Sequence, residues 1–218
     1  MANATNVLHA SPVIPVVTIN DPQHAIPVAQ ALAAGGIQII ELTMRTNSAL
    51  TSLKAIATEF PEILLGAGTI LTPQQADAAV AAGAQFLVSP GVTPALLDYM
   101  LTLEVPILPG VATVGEVMAV LERGLEAMKF FPAGPAGGPA YLAGIGAPIP
   151  QVQFCPTGGI SLATAPDYLK LPNVSCVGGS WLTPRAAVES SDWKHITKLA
   201  QQAAGLADRS QSGYPTCP

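Results

Sequence analysis

Two stretches of this 218-residue chain hold residue types that do chemistry. The first is Lys129, set in the apolar run Ala127-Met128-Lys129-Phe130-Phe131-Pro132-Ala133. Taking an ammonium group out of water costs several kcal/mol on an order-of-magnitude basis, so the site must pair it, neutralise it or let it reach solvent. A neutral lysine is a nucleophile that attacks ketones and forms a Schiff base. A lysine that snorkels out of a strand end would do none of this. The second stretch is Ile39-Ile40-Glu41-Leu42-Thr43-Met44-Arg45, where period-two alternation places Glu41, Thr43 and Arg45 on one face. A carboxylate there suits general acid/base work, and the guanidinium fork suits a substrate carboxylate. The bland alternative is a Glu41–Arg45 ion pair that braces the structure.

Further candidates lie where other apolar runs end. Gly66-Ala67-Gly68-Thr69 permits close backbone approach, and Thr69 offers a hydroxyl and a main-chain donor. Ser89-Pro90-Gly91 and Pro109-Gly110 mark turns. Phe154-Cys155-Pro156-Thr157-Gly158-Gly159-Ile160 and Val177-Gly178-Gly179-Ser180-Trp181 each carry paired glycines, whose exposed N–H groups suit an anion, and Ser180 adds a hydroxyl. Metal chemistry would need His, Asp or Glu at these ends. The three histidines, His9, His24 and His195, fall instead in an N-terminal arm, a first helix and a last helix. No metal and no organic cofactor is expected.

These residues need a scaffold, and the sequence supplies one pattern eight times. β-branched apolar runs near 13–19, 37–44, 64–70, 86–90, 105–111, 127–133, 151–157 and 174–179 alternate with Ala/Leu-rich segments of helical period near 23–34, 47–59, 73–82, 94–102, 114–123, 139–145, 161–169 and 191–206. Eight βα units without a Gly-rich fingerprint after the first strand predict a closed (β/α)8 TIM barrel rather than an open doubly wound sheet. In such a barrel the active site lies where the strands finish, and the two late loops frequently bind phosphate between them. One barrel domain is expected over residues 1–207, with a short N-terminal arm, followed by a flexible tail over 208–218.

Half of the residues are hydrophobic and only 11% are charged, against about 25% in an average soluble domain. That shortage favours burial of surface between subunits. The net charge of −5, with five lysines and four arginines scattered along the chain, argues against nucleic acid or an anionic membrane as partner. No apolar run is long enough to span a bilayer, and the first residues lack a signal pattern, so a cytoplasmic protein is expected. Cys155, Cys176 and Cys217 form no Cys-x-x-Cys motif and read as free thiols.

Taken in order, Glu41-x-x-x-Arg45-Thr46, Gly66-Ala67-Gly68-Thr69, Ser89-Pro90-Gly91, Lys129-Phe130-Phe131-Pro132-Ala133, Cys155-Pro156-Thr157-Gly158-Gly159-Ile160 and Gly179-Ser180-Trp181 resemble the motifs of 2-keto-3-deoxy-6-phosphogluconate aldolases over residues 12–205. The resemblance implies a trimeric class I pyruvate aldolase of the Entner–Doudoroff pathway. It makes Lys129 the Schiff-base lysine and Glu41 the acid/base residue. Arg45 and Thr69 would hold the pyruvate carboxylate, Pro90 and Phe131 would line its methylene, and Gly158, Gly159, Gly179 and Ser180 would bind phosphate. One position departs: relatives often carry a basic residue after the first strand, where this chain has Thr18-Ile19-Asn20. 4-Hydroxy-2-oxoglutarate, with a carboxylate in place of the sugar phosphate, is the alternative substrate. A barrel that binds a phosphorylated metabolite without catalysis, with Lys129 paired structurally to Glu41, is the alternative outside enzymes.

Overall fold

The computed structural model describes residues 4–206. Eight parallel staves form the sheet: β1 (Val13–Val17), β2 (Ile39–Thr43), β3 (Leu64–Gly68), β4 (Phe86–Val88), β5 and β6 (Ile107–Leu108 and Gly110–Val111, one stave interrupted at Pro109), β7 (Ala127–Phe130), β8 (Gln153–Pro156) and β9 (Val177–Gly179). Hydrogen-bonded order runs β5-β4-β3-β2-β1-β9 in one sheet and β6-β7-β8 in the other. The bridges Phe154↔Val174 and Thr157↔Gly178 join the two at the remaining seam. The ring therefore closes, as the eightfold pattern predicts, and every residue of β1 and β2 is buried.

Helices return the chain between staves: Ala25–Ala34, Ala49–Glu59, Pro73–Ala81, Pro94–Met100, Val114–Leu121, Gly138–Gly146, Ala165–Leu169, and the pair Arg185–Glu189 and Trp193–Ala204. Thr-Pro signals start two of them. Thr72 and Thr93 accept the Gln75 and Leu96 N–H groups, while Pro73 and Pro94 occupy first helical positions that need no donor. Caps of this kind end each loop sharply, which holds the preceding strand end in place.

Three details differ from the pattern. The fifth stave splits because Pro109 has no N–H for the ladder. The last unit holds two helices where one was expected over 191–206. The N-terminal arm contains a helix, Ala4–His9, whose Ala4, Val7 and Leu8 are buried. The expected tail over 208–218 lies outside the described residues. Among the described residues, no helix is long and apolar enough to cross a membrane.

Candidate active site

Closure of the barrel brings Lys129 of β7 to Glu41 of β2. Lys129 Nζ donates to Glu41 Oε1 at 2.8 Å and to Oε2 at 3.1 Å, and the two side chains are only 5% and 3% exposed. The ammonium therefore meets its burial cost by pairing, and it does not snorkel to solvent. The Phe131 ring lies with its centroid 5.7 Å from Nζ, an apolar wall with a cation–π component. The expected alternative partner of Glu41, Arg45, is elsewhere: β2 ends at Thr43, and Arg45 sits in the following turn, exposed, its Nε donating to Thr69 Oγ1 at 3.0 Å.

Glycines next to these side chains have specific uses. Glu41 pairs in register with Gly66 and Thr43 with Gly68. A β-carbon on Gly68 would collide with the Glu41 carboxylate, and one on Gly66 with the Phe86 ring. Lys129 sits in register between Gly110 and Cys155. A β-carbon on Gly110 would strike the Pro90 backbone, so Pro90 is set against the stave beside the lysine. Thr69 holds φ at +62°, an uncommon conformation for a β-branched residue. Such strain is kept where surrounding structure enforces it, and here it accompanies the bond to Arg45.

The two late loops also meet. Gly158 and Gly159 have φ of +99° and +77°, positions that suit glycine, and Gly158 lies against the Phe131 ring. The Thr157↔Gly178 bridge puts this loop beside Gly179 and Ser180. Gly179 lies under Trp181, whose six-membered ring would clash with a β-carbon there, and Ser180 is exposed. Lys129, Glu41 and Phe131 thus share one centre, Arg45 and Thr69 share the rim after staves two and three, and the glycine loops share the rim after staves seven and eight. Pro90 lies against Gly110, the register partner of Lys129.

Three neighbours of this centre carry no assigned role in the sequence, although Thr43 shares the face of Glu41 and both cysteines read as free thiols. Thr43, fully buried, has its hydroxyl 2.8 Å from that of Thr18, which joins the ends of β1 and β2. Cys155 and Cys176 are buried, and a hydrogen bond between them, with burial and the negative charge of Glu41, pushes the Cys176 thiol well above its ordinary pKa. Cys155 is the register partner of Lys129. Among the histidines, His24 stacks edge-on against Trp193 with centroids 5.6 Å apart.

Fold and lumen together define a (β/α)8 barrel built around one buried amine and its carboxylate, the class that includes enzymes of covalent carbonyl chemistry. The sequence matches the description "Aldolase: KDPG and KHG aldolase" over residues 4–199. This chain belongs to the KDPG and KHG aldolase family. It is 48% identical over 201 residues to the KHG/KDPG aldolase of Escherichia coli (strain K12), a match covering 92% of this chain and 94% of that one. It superposes with a TM-score of 0.92, at 47% identity, on the KDPG aldolase of Legionella pneumophila captured with pyruvate as a covalent carbinolamine intermediate, covering 93% and 98% of the two chains. The Zymomonas mobilis ZM4 2-keto-3-deoxy-6-phosphogluconate aldolase with 3-phosphoglycerate gives a TM-score of 0.89 at 42% identity, covering 94% and 96%.

Proposed function

We propose that this protein is a class I aldolase that cleaves 2-keto-3-deoxy-6-phosphogluconate to pyruvate and glyceraldehyde 3-phosphate. The observation that carries this reading is the 2.8 Å Lys129–Glu41 contact, an amine and a proton acceptor isolated together within the barrel. Passing a proton from Nζ to Glu41 frees the lone pair, which attacks the C2 ketone and gives a carbinolamine. Glu41 then protonates the departing hydroxyl, water leaves, and the iminium forms. Removal of the C4 hydroxyl proton by Glu41, directly or through water, breaks C3–C4, and its electron pair flows into the iminium. Glyceraldehyde 3-phosphate departs. Protonation of the enamine at C3 and hydrolysis by water release pyruvate and restore the amine.

Arg45 and Thr69 are assigned to the ketoacid carboxylate, Pro90 and Phe131 to its methylene, and Gly158, Gly159, Gly179 and Ser180 to the phosphate. The Arg45–Thr69 bond supports the first assignment, since it aims a fork-shaped donor beside the lumen. The positive-φ glycines support the last, because such backbone turns its N–H groups toward an anion. The barrel works as a single domain, in the cytoplasm, as a homotrimer of the Entner–Doudoroff pathway. Leu71 and Met118, 57% and 54% exposed, are apolar surface available to a subunit interface.

Incubation with pyruvate and borohydride, followed by peptide mapping, tests the reading. Reductive label on Lys129 is expected. Label on Lys54, Lys170, Lys194 or Lys198 instead, or no label at all, overturns it. Cleavage of 4-hydroxy-2-oxoglutarate at a higher kcat/KM than the phosphorylated ketoacid would make the former the main substrate.

A further inference from the structure

The ends of the first and eighth staves hold a cation that the motifs leave unused. Pro15 pairs with Gly179, so the chain leaving β1 runs beside the chain leaving β9. Near these ends a crevice of about 230 Å³ is lined by Thr18, Asn20, Asp21, His24, Arg185 and Glu189. Thr18 connects it to the lumen, because its hydroxyl bonds that of Thr43, on the same face of β2 as Glu41.

Arg185 follows the Gly179-Ser180 loop by five residues, and its side chain is 80% exposed. Its Nε lies 2.6 Å from Glu189 Oε1. A guanidinium has five N–H donors, so one is committed here and the terminal nitrogens keep theirs for a ligand. An i,i+4 pair this exposed contributes little to stability, so removing it carries little structural cost. Of the other cations at this end of the barrel, Lys129 is paired with Glu41, and Arg45, its Nε bonded to Thr69, is taken by the ketoacid carboxylate in the reading above.

We propose that Arg185 is the specificity-determining cation for substrates with a phosphate at the aldehyde end, and that Glu189 competes with that phosphate for it. The proposal rests on the aldolase reading above and names which charge selects the phosphorylated substrate. Glycine-loop N–H groups and the Ser180 hydroxyl are neutral donors. A phosphate monoester carries close to two negative charges, which a fork of charged N–H donors matches best. 4-Hydroxy-2-oxoglutarate ends in a carboxylate at C5, short of the phosphate on C6, and makes no such contact. The carboxylates of Asp21 and Glu189 oppose an anion in the crevice. Asp21 is occupied in accepting the Gln23 N–H, whereas Glu189 holds only Arg185 among the described residues. Removing Glu189 should therefore act in the opposite direction to removing Arg185.

The test is kcat/KM for both ketoacids in the wild type, Arg185→Gln and Glu189→Gln. Arg185→Gln should lower the ratio of phosphorylated to unphosphorylated substrate about tenfold, through KM rather than kcat. Glu189→Gln should raise it about threefold by releasing the guanidinium and removing a like charge. An unchanged ratio in Arg185→Gln, or a shift of the same sign in both variants, overturns the role of Arg185 and leaves the aldolase intact. Wild-type protein that cleaves neither ketoacid and traps no pyruvate overturns both.

Discussion

Gly68 leaves the space that the Glu41 carboxylate occupies, for a β-carbon at position 68 would overlap the Glu41 Oε1, Cδ and Cγ atoms from the neighbouring stave. The glycine is thus a condition for the Lys129–Glu41 contact. Gly68→Ala is expected to push Glu41 off Lys129 and to lower kcat about 100-fold, near the lower end of what general acid/base catalysis contributes. Overpacking should also cost about 1–3 kcal/mol in urea unfolding. Full activity in this variant would show that the carboxylate works from another position.

The buried ion pair makes a stability prediction independent of turnover. Lys129→Met or Glu41→Leu alone leaves one charge without its counter-ion inside the barrel, at a cost of about 3–5 kcal/mol. The double variant removes both charges and should recover most of that loss while losing all activity. Urea unfolding of the four proteins closes the cycle. Additive losses would mean that the two side chains do not interact in solution.

The barrel was legible because eight β-branched runs alternate with capped helical segments, and Thr72-Pro73 and Thr93-Pro94 mark helix starts without help from tertiary contacts. Lys129 and Glu41 were legible singly, as charged residues in apolar strands. Spacing alone does not join them, since 88 residues separate them and only ring closure brings them together; the resemblance does, by giving both to one reaction. Period-two reasoning placed Arg45 on the face of Glu41, but it assumes that the strand continues. β2 stops at Thr43, so the turn aims Arg45 at Thr69. The helix Ala4–His9 escaped notice because six residues are too few for a clear apolar period, and Pro109 split a stave that the apolar run reads as continuous.

Exposed apolar side chains lie on the loops and helices that follow staves two, three and five: Leu50, Leu71, Val114 and Met118. With only 11% charged residues, this chain has few side chains to keep such a surface solvated. If the protein assembles as a trimer through this surface, Leu71→Asp with Met118→Asp should shift its sedimentation toward the monomer, because burying two new carboxylates costs more than the contact returns. A trimer unaffected by both substitutions would place the interface elsewhere.

The paired thiols predict a silent reactivity. Cys176 is fully buried, and its bond with Cys155, burial and the nearby Glu41 charge all raise its pKa, so little thiolate forms at ordinary pH. Iodoacetamide at about pH 8, near the reference pKa of a free thiol, should leave Cys176 unmodified in the native protein and label it once urea is added. Peptide mapping reads the difference. Rapid labelling of native Cys176 would mean that the lumen opens far more often than its packing allows.

The capping box of the helix Val114–Leu121 gives a pH-dependent prediction. Burial pushes the Glu116 carboxyl up, but the Ala112 N–H, the Thr113 hydroxyl and the Thr113 N–H together hold it below its ordinary value. Its Oε2 accepts both backbone N–H groups at 2.8 Å, while Thr113 Oγ1 accepts the Glu116 N–H at 3.3 Å. A carboxyl depressed in the folded state adds stability above its unfolded pKa, and that contribution fades as pH falls through the lower folded value. Glu116→Ala should therefore cost about 0.5–1 kcal/mol at neutral pH, toward the lower end for a cap because the side chain is exposed. The gap between variant and wild type should narrow below about pH 4, as the wild-type carboxyl takes up its proton. Urea titrations at the two pH values measure it, and a gap that widened in acid would mean that the carboxylate is not what holds the first turn.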